Sequence, residues 1–556
     1  MNPLKAPDFV VLIILDGWGL APNSPGNAIT RAKKTNFDRL WASYPHTQLG
    51  AAGDSVGLPR GEPGNTETGH LNLGAGRIVY QDLARINMSI ADGSFFKNQE
   101  LNAAIDHALK NNSKLHLMGL IGAGGVHSNM EHLFALLRLC AQKKFTKLYL
   151  HLFTDGRDSP PTATKAYLTS LREVIKKEGV GTIATIMGRY WAMDRDQRWE
   201  RTEKAYFALT AGKGHLVKTP EEAIEMSYSQ GKTDEFIEPS VITNQDGKPI
   251  ATVGSNDAVI FFNFRIDRPR QLTKAFIMKD FTKANVSWGF DPYKVKYEKT
   301  HIDEKVKKRK TTFDRGEKLP NLFFTMMTEY GKPLVEAGAR VAYPPEKVEM
   351  PLGRVLAESE IFQLRLTESE KERFVTFYFN GQVEPPYKNE ERVIVPSPKV
   401  ATYDQKPEMA SAVVIDVLLH KLKSKKFKFL LVNFANADMV GHTGNIGPAV
   451  KAIEVLDKIL GEIENHVLAY NGAALITADH GNAEEMINVH TGQIDTEHST
   501  NQVPFIAISK ELQGKPQNLK AGILADIAPT VLRLLNIYQP AVMTGRDLLD
   551  EVWKKS

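Results

Sequence analysis

A single cysteine, Cys140, leaves the chain unable to form an internal disulfide. This excludes the disulfide-stapled secreted scaffolds and fits a reducing compartment, so a cytoplasmic location is expected. Cys140 follows the apolar pattern Leu133-Phe134-Ala135-Leu136-Leu137-Arg138-Leu139, where a buried structural thiol is expected rather than a reactive one. Long hydrophobic runs are also missing. No stretch approaches the roughly 20 apolar residues a bilayer crossing needs, so no membrane partner is expected. The run Phe9 to Leu15 is seven residues long and meets an acid, the pattern of a strand and not of a signal peptide. The ending Trp553-Lys554-Lys555-Ser556 is not a Ser-Lys-Leu peroxisomal signal. Net charge is only +5 over 556 residues. The one dense basic run, Lys305-Val306-Lys307-Lys308-Arg309-Lys310, lacks interleaved aromatics, so it reads as a solvated loop and no nucleic-acid partner is expected. Internal repeats and low-complexity tracts are absent. A chain of this length exceeds what one core usually serves, so at least two domains are expected.

What is present is a set of short apolar runs that end in chemistry. Phe9-Val10-Val11-Leu12-Ile13-Ile14-Leu15 runs into Asp16-Gly17-Trp18-Gly19, Phe429-Leu430-Leu431-Val432-Asn433-Phe434 into Asp438 and His442, and Ala473-Ala474-Leu475-Ile476 into Asp479-His480-Gly481-Asn482. Unbroken apolar runs closed by Gly, Asn and Asp predict strands buried on both faces, as in a parallel sheet covered by helices. Ligands of such sheets bind at the carboxyl ends of the strands. With His498 the set holds three Asp and three His, enough for two metal ions, and two metals point to phosphoryl chemistry. Mixed carboxylate and imidazole ligands favour manganese, zinc or cobalt over magnesium. Asp438 and His442, four apart, share one face of a helical turn or lie along a loop leaving the strand. For each ligand taken singly, a capping or salt-bridged role competes.

A second strand series lies between the first of these runs and the other two. Lys114 to Ile121 leads to His127, Leu148 to Phe153 to Asp155-Gly156-Arg157-Asp158, Ile183 to Met187 to Arg189 and Arg195, and Ala258 to Phe264 to Arg265 and Arg268. Each arginine alone reads as a surface salt bridge, whereas their repetition at strand ends points to an anion site. Helical patterns such as Asn129 to Cys140 and Thr202 to Leu209 fill the gaps, which predicts α/β architecture throughout. The expected layout is one α/β domain, residues 1–81 and 344–556, interrupted by a second at 82–343. Two chain crossings would make a hinge pair whose closure excludes water.

Gly61-Glu62-Pro63-Gly64-Asn65-Thr66-Glu67-Thr68-Gly69-His70 predicts a glycine-rich turn entering a helix. Backbone N–H groups and the helix dipole there suit an incoming phosphate. Thr66 is either the nucleophile or simply the helix N-cap.

These segments, in this order, resemble the cofactor-independent phosphoglycerate mutases of the alkaline phosphatase superfamily. The resemblance runs through Leu15 to Gly19, Gly64 to His70, Asp155 to Asp158, Met193 to Asp196, Phe262 to Arg268, Ser397 to Asp404, Asn436 to His442 and Thr477 to Asn482. It implies an alkaline-phosphatase-like domain with a mainly parallel sheet, and interconversion of 3-phosphoglycerate and 2-phosphoglycerate through a phosphorylated enzyme without 2,3-bisphosphoglycerate. It further implies one divalent metal held by Asp438, His442 and His498 and a second by Asp16, Asp479, His480 and Thr66, manganese before cobalt, zinc or magnesium. Implied substrate residues are His127, Arg157, Asp158, Arg189, Arg195, Arg265, Arg268 and Lys371, with Asp158 as general acid/base, Lys371 in a catalytic role, and a monomer. The family pattern has Ser where this chain has Thr66, and Val where it has Thr68. The rival readings are a metal-dependent phosphatase or phosphodiesterase, which would release phosphate to water, and a catalytically impaired relative.

Overall fold

The computed structural model describes residues 6–283, 312–488 and 491–552, so the basic run Lys305 to Lys310 and the ending Trp553 to Ser556 lie outside the described residues. Two compact units form, Met1–Gln81 with Glu346–Ser556 (unit 1) and Asp82–Pro345 (unit 2). The chain opens unit 1 with β1 (Val10–Leu15) and β2 (His46–Gly50). It then builds unit 2 with β3 (Leu115–Ile121), β4 (Leu148–Thr154), β5 (Thr182–Gly188), β6 (His215–Val217), β7 (Ser240–Ile242), β8 (Ala258–Phe261), β9 (Phe323–Thr328) and β10 (Arg340–Tyr343). Back in unit 1 it adds β11 (Gln363–Glu368), β12 (Glu390–Val395), β13 (Phe429–Phe434), β14 (Ala473–Thr477), β15 (Val503–Ser509) and β16 (Gly522–Ile523).

Unit 1 is an eight-stranded sheet in the order β12-β11-β13-β1-β14-β15-β2-β16. All six residues of β1 are buried, as its unbroken β-branched and leucine run requires of a strand covered on both faces. It lies parallel between β13 and β14, with Leu15 opposite Phe434 and Ile14 opposite Thr477. The segments that leave these three strands therefore emerge side by side at one edge. The β13–β14 crossover is the helix Ile446–Ala469, which buries Ala449, Ile453, Leu456, Leu460, Ile463 and Val467. Their alternating spacing of four and three keeps one apolar stripe on the sheet.

Unit 2 carries its own sheet, β10-β9-β8-β3-β4-β5-β7-β6, in which β5–β7 is the antiparallel pair. The helix Met130–Gln142 is capped by the Asn129 side chain, which accepts from Glu131 N, and it buries Leu133, Leu136, Leu137 and Cys140. Burial pushes the Cys140 thiol up to about 12, which keeps it unreactive. The run Ala258 to Phe264 makes a shorter strand than its apolar length predicts. Asn263 Oδ1 accepts from Leu120 N and Phe264 N donates to His127 O, so the chain leaves the ladder after Phe261. Among the described residues, no helix is long and apolar enough to cross a membrane.

Candidate active site

In unit 1 the strand ends converge on a buried acid cluster. Gly17 turns the chain after Asp16 at φ +78°, and a Cβ there would lie 2.6 Å from the Asp438 Cα. Glycine thus supplies both the left-handed turn and the close approach, and Asp438 N donates to Asp16 O at 2.9 Å. Asp438 sits in the short helix Asn436–Gly441, with His442 as its C-cap. His442 Nε2 lies 3.2 Å, and His498 Nε2 3.3 Å, from Asp438 Oδ1. The His480 Nε2 stands between the carboxylates, 3.5 Å from both Asp16 Oδ1 and Asp479 Oδ2 and 3.9 Å from Asp438 Oδ1. The Nδ1 atoms of His442, His480 and His498 face the carbonyls of Thr496, Gly481 and Gly64. Each ring is therefore anchored through Nδ1 and turns its Nε2 inward, the orientation that second partners impose on metal-ligating histidines. By proximity the tightest sets are Asp438, His480 and His498, and Asp16, His70 and Asp479.

His70 is less available than its place in that set suggests. Its Nε2 faces the Asn433 amide at 3.1 Å and its Nδ1 faces Thr66 O at 3.0 Å, so both nitrogens are used. Asp479 Oδ2, 3.2 Å from His70 Nδ1, is left buried without a hydrogen-bond partner.

Lys371, which follows β11, stands within this cluster. Its Nζ donates to Asp16 Oδ1 at 2.6 Å and Asp438 Oδ2 at 2.7 Å, and lies 3.2 Å from Thr66 Oγ1. Burial favours the neutral amine, but Asp16, Asp438 and Asp479 outweigh it and hold the ammonium charged above its ordinary range. Burial likewise works against a charged His480, yet Asp479, Asp438 and Asp16 lift it to about 9. For Asp438, burial favours the acid form; Lys371 and the histidines prevail and keep it well below the ordinary carboxylate range. One ammonium faces three carboxylates that are at most 2% exposed. So concentrated a buried negative charge calls for further cations.

Thr66 is the first residue of the helix Thr66–Ala75, whose N-cap is Asn65. The capping alternative for Thr66 therefore falls: Asn65 Oδ1 accepts from Thr68 N at 2.9 Å, and the Thr68 hydroxyl packs back on Asn65. Relieved of capping, Thr66 Oγ1 lies 2.9 Å from His480 Nε2. Gly69 makes this approach feasible, because a Cβ there would sit 2.5 Å from Asp479 O.

Two further residues of this cluster were not singled out from the sequence. Glu484, 1% exposed, accepts from Gly19 N at 3.0 Å and Asn482 N at 2.9 Å through Oε2, and from Ser499 Oγ and Asn501 Nδ2 through Oε1. It ties together the three loops that carry Asp16, Asp479 with His480, and His498. Only the adjacency of Glu484 and Glu485 to Asp479-His480 signals it, and that does not say which of the two points inward. Asn433 donates to Asp16 Oδ2 at 2.7 Å; its signal is a lone amide inside an apolar strand.

In unit 2, Arg157, Arg189, Arg195 and Arg268 line a cavity of roughly 410 Å³, joined by Arg198 and Arg201, which the sequence had not marked. Arg189, 2% exposed, spans Asp155 at 2.6 Å and Asp158 at 2.5 Å. Burial works against the charged Asp158 carboxylate, but Arg189 outweighs it and holds the group below the usual range. His127 is buried 3.6 Å from Asp158 and 3.7 Å from Asp267. Burial, then Arg189, Arg265 and Arg268, push its imidazole down to about 2, so it is neutral. Arg268 donates to Met193 O and is pulled down to about 10, by burial and then by Arg189 and Arg195. Arg157 is the most open of the set, 58% exposed beside Glu235.

A carboxylate–imidazole cluster around a buried hydroxyl, on a mainly parallel sheet, and an arginine-lined cavity in the other unit define an α/β enzyme equipped to handle phosphoryl groups. Comparison with known proteins narrows this. Residues 86–332 match the family model described as the BPG-independent PGAM N-terminus. The chain is 48% identical over 542 residues to the 2,3-bisphosphoglycerate-independent phosphoglycerate mutase of Clostridium tetani, covering 97% of this chain and 99% of that one. It is 47% identical to the corresponding Moorella thermoacetica protein, covering 97% and 98%. Among solved structures, Leishmania mexicana phosphoglycerate mutase, crystallised at low cobalt concentration, superposes with a TM-score of 0.59 at 26% identity over 98% of each chain. The chain belongs to the 2,3-bisphosphoglycerate-independent phosphoglycerate mutase family, a family of isomerases.

Proposed function

We propose that this chain interconverts 3-phosphoglycerate and 2-phosphoglycerate, as glycolysis and gluconeogenesis require, with Thr66 carrying the phosphoryl group between the two glycerate oxygens. The observation that supports this reading best is the setting of Thr66: a hydroxyl at a helix N-terminus, 2.9 Å from His480 and 3.2 Å from Lys371. Residues 1–81 and 344–556 are assigned the phosphoryl-accepting role and residues 82–343 the binding of the glycerate. The protein works as a cytoplasmic monomer on this small-molecule substrate and needs no 2,3-bisphosphoglycerate.

The donor set suits divalent ions. Three imidazoles turned Nε2-inward, the unpartnered Asp479 Oδ2 and the buried carboxylates match manganese, cobalt or zinc better than magnesium. Asp438, His442 and His498 would hold one ion, and Asp16, Asp479, His480 and Thr66 the other. Such ions, when bound, favour the alkoxide form of a coordinated hydroxyl and neutralise phosphate oxygens.

The chain's own residues then divide the work. Arg157, Arg189, Arg195, Arg265 and Arg268 offer forks for the carboxylate and phosphate of the substrate. Lys371 places positive charge beside Thr66, where the phosphoryl group arrives. Thr66 Oγ passes its proton to solvent, from which it is later recovered, and bonds to phosphorus as the bond from phosphorus to the C3 oxygen breaks. Asp158, ionised at rest, draws the proton from the C2 hydroxyl and delivers it to the freed C3 oxygen. The C2 oxygen takes the phosphoryl group back, and Thr66 recovers a proton. His127, held neutral beside Asp158, is placed to hydrogen-bond the glycerate hydroxyls.

Phosphorus NMR of the protein with 3-phosphoglycerate and manganese, and no 2,3-bisphosphoglycerate, tests the reading. Appearance of 2-phosphoglycerate without inorganic phosphate is expected. Inorganic phosphate alone would identify a hydrolase instead.

A further inference from the structure

An acid lies among the arginines of unit 2. Asp267 follows β8, and its side chain is 4% exposed. Its Oδ2 accepts from Arg195 Nη1 at 2.7 Å; its Oδ1 accepts from Arg268 N at 3.0 Å and lies 3.3 Å from Arg265 Nε and 3.7 Å from His127 Nδ1. One carboxylate thus engages three members of the expected substrate set, contributed by the segments that follow β5 and β8. Arg195 and Arg265 are 30% and 28% exposed, long side chains whose rotamer freedom falls as contacts hold them. By charge alone Asp267 is a liability, since a negative group in an anion site repels the ligand it should receive. Its retention among these cations is accounted for by geometry: an arginine fork held in one orientation loses less freedom when it binds an anion.

We propose that Asp267 is a positioning residue of the substrate site, fixing the Arg195 and Arg265 guanidiniums in the arrangement that receives the anionic groups of the substrate. This rests on the reading of unit 2 as the glycerate-binding unit. Asp155 holds Arg189 in the same manner, at 2.6 Å, so two buried acids anchor the arginine set.

The test uses the whole protein and the substitution Asp267→Asn, which keeps the size of the group and an acceptor for Arg268 N but removes the ionic clamp. Charge removal alone would tighten 3-phosphoglycerate binding. The positioning role predicts the opposite sign: affinity by calorimetry at least tenfold weaker and KM raised to match, with kcat within about threefold. Nitrogen-15 spectra of the arginine Nε–H groups, recorded on the ligand-free protein, should show Arg195 and Arg265 rotating more slowly in the parent than in D267N. Equal or tighter binding by D267N, or unchanged arginine signals, overturns the proposal. Asp267→Glu guards against a folding failure of D267N: it keeps the charge one methylene out of place, and should shift both signals and raise KM. A parent that binds no 3-phosphoglycerate, but whose arginine signals are released in D267N, would remove the glycerate reading and leave the clamp standing.

Discussion

Thr66 Oγ1 lies 2.9 Å from His480 Nε2, a contact between residues 414 positions apart. His480 is anchored through Nδ1 on Gly481 O, and the neighbouring carboxylates keep the ring protonated, so its Nε2–H donates to the Thr66 oxygen. Lys371 Nζ lies 3.2 Å from the same hydroxyl. Thr66→Ala and Thr66→Val should each lower kcat by about 10³-fold or more, as removal of a covalent nucleophile does. Thr66→Ser should stay active, since it returns the same oxygen without the methyl group. Enzyme quenched during turnover should carry phosphate on residue 66 in the parent and in T66S. Turnover by T66A within tenfold of the parent would end the covalent scheme.

Glu484 binds no metal in this reading, yet its carboxylate joins the loops bearing three candidate ligands. Glu484→Gln replaces one acceptor oxygen with a donor that opposes the Asn501 amide. Groups that orient metal ligands typically contribute a factor of about 10 to 100 in affinity. A cobalt titration followed by visible absorbance should show a loss of that size in E484Q. Glu485→Gln, one residue on, should bind cobalt like the parent.

Asp158 holds its proton loosely because Arg189 pairs with it at 2.5 Å. Asp158→Asn leaves the arginines in place but removes the base. A fall in kcat of roughly 10²- to 10⁴-fold is expected, with KM for 3-phosphoglycerate changed by less than about fivefold. A rise in KM with kcat intact would instead give Asp158 a binding role.

Unit 2 should lose stability in mild acid. His132 is pushed down to about 3 by burial, His116 is lowered chiefly by burial, and His151 lies well below its ordinary value for the same reason. All three are neutral when folded and protonate more readily when unfolded. Their contribution is therefore complete above about pH 6.5 and is lost as pH falls toward the folded values, at about 1.4 kcal/mol per pH unit for each proton. Urea unfolding between pH 7.5 and 5.0 should show this slope. His132→Gln, which can still donate to Asn87, should flatten it by about one proton.

Much of the fold was legible locally. The run Val10 to Leu15 could only be a strand covered on both faces, and Asn129 ahead of a 3.6-residue apolar pattern marked the helix Met130–Gln142 to within a residue at its start. Local pattern was weaker where polar side chains intervene. The apolar run to Phe264 ends as a strand at Phe261, because Asn263 bonds across to β3. Lys371 enters from the sequence only through the family resemblance, and nothing in its neighbours places it between Asp16 and Asp438.

By itself the sequence determined the strands, the acids and histidines that close them, and a hydroxyl at a helix start, since all of these are written in spacing over a few residues. Tertiary structure decided that β1 lies between β13 and β14, that Asn65 and not Thr66 caps the helix, that Glu484 turns inward, and that Asp267 grips the arginines. Those outcomes depend on strand pairing and side-chain packing between segments up to hundreds of residues apart, where the energy of each contact is settled by the partner it meets and not by its neighbours in the chain.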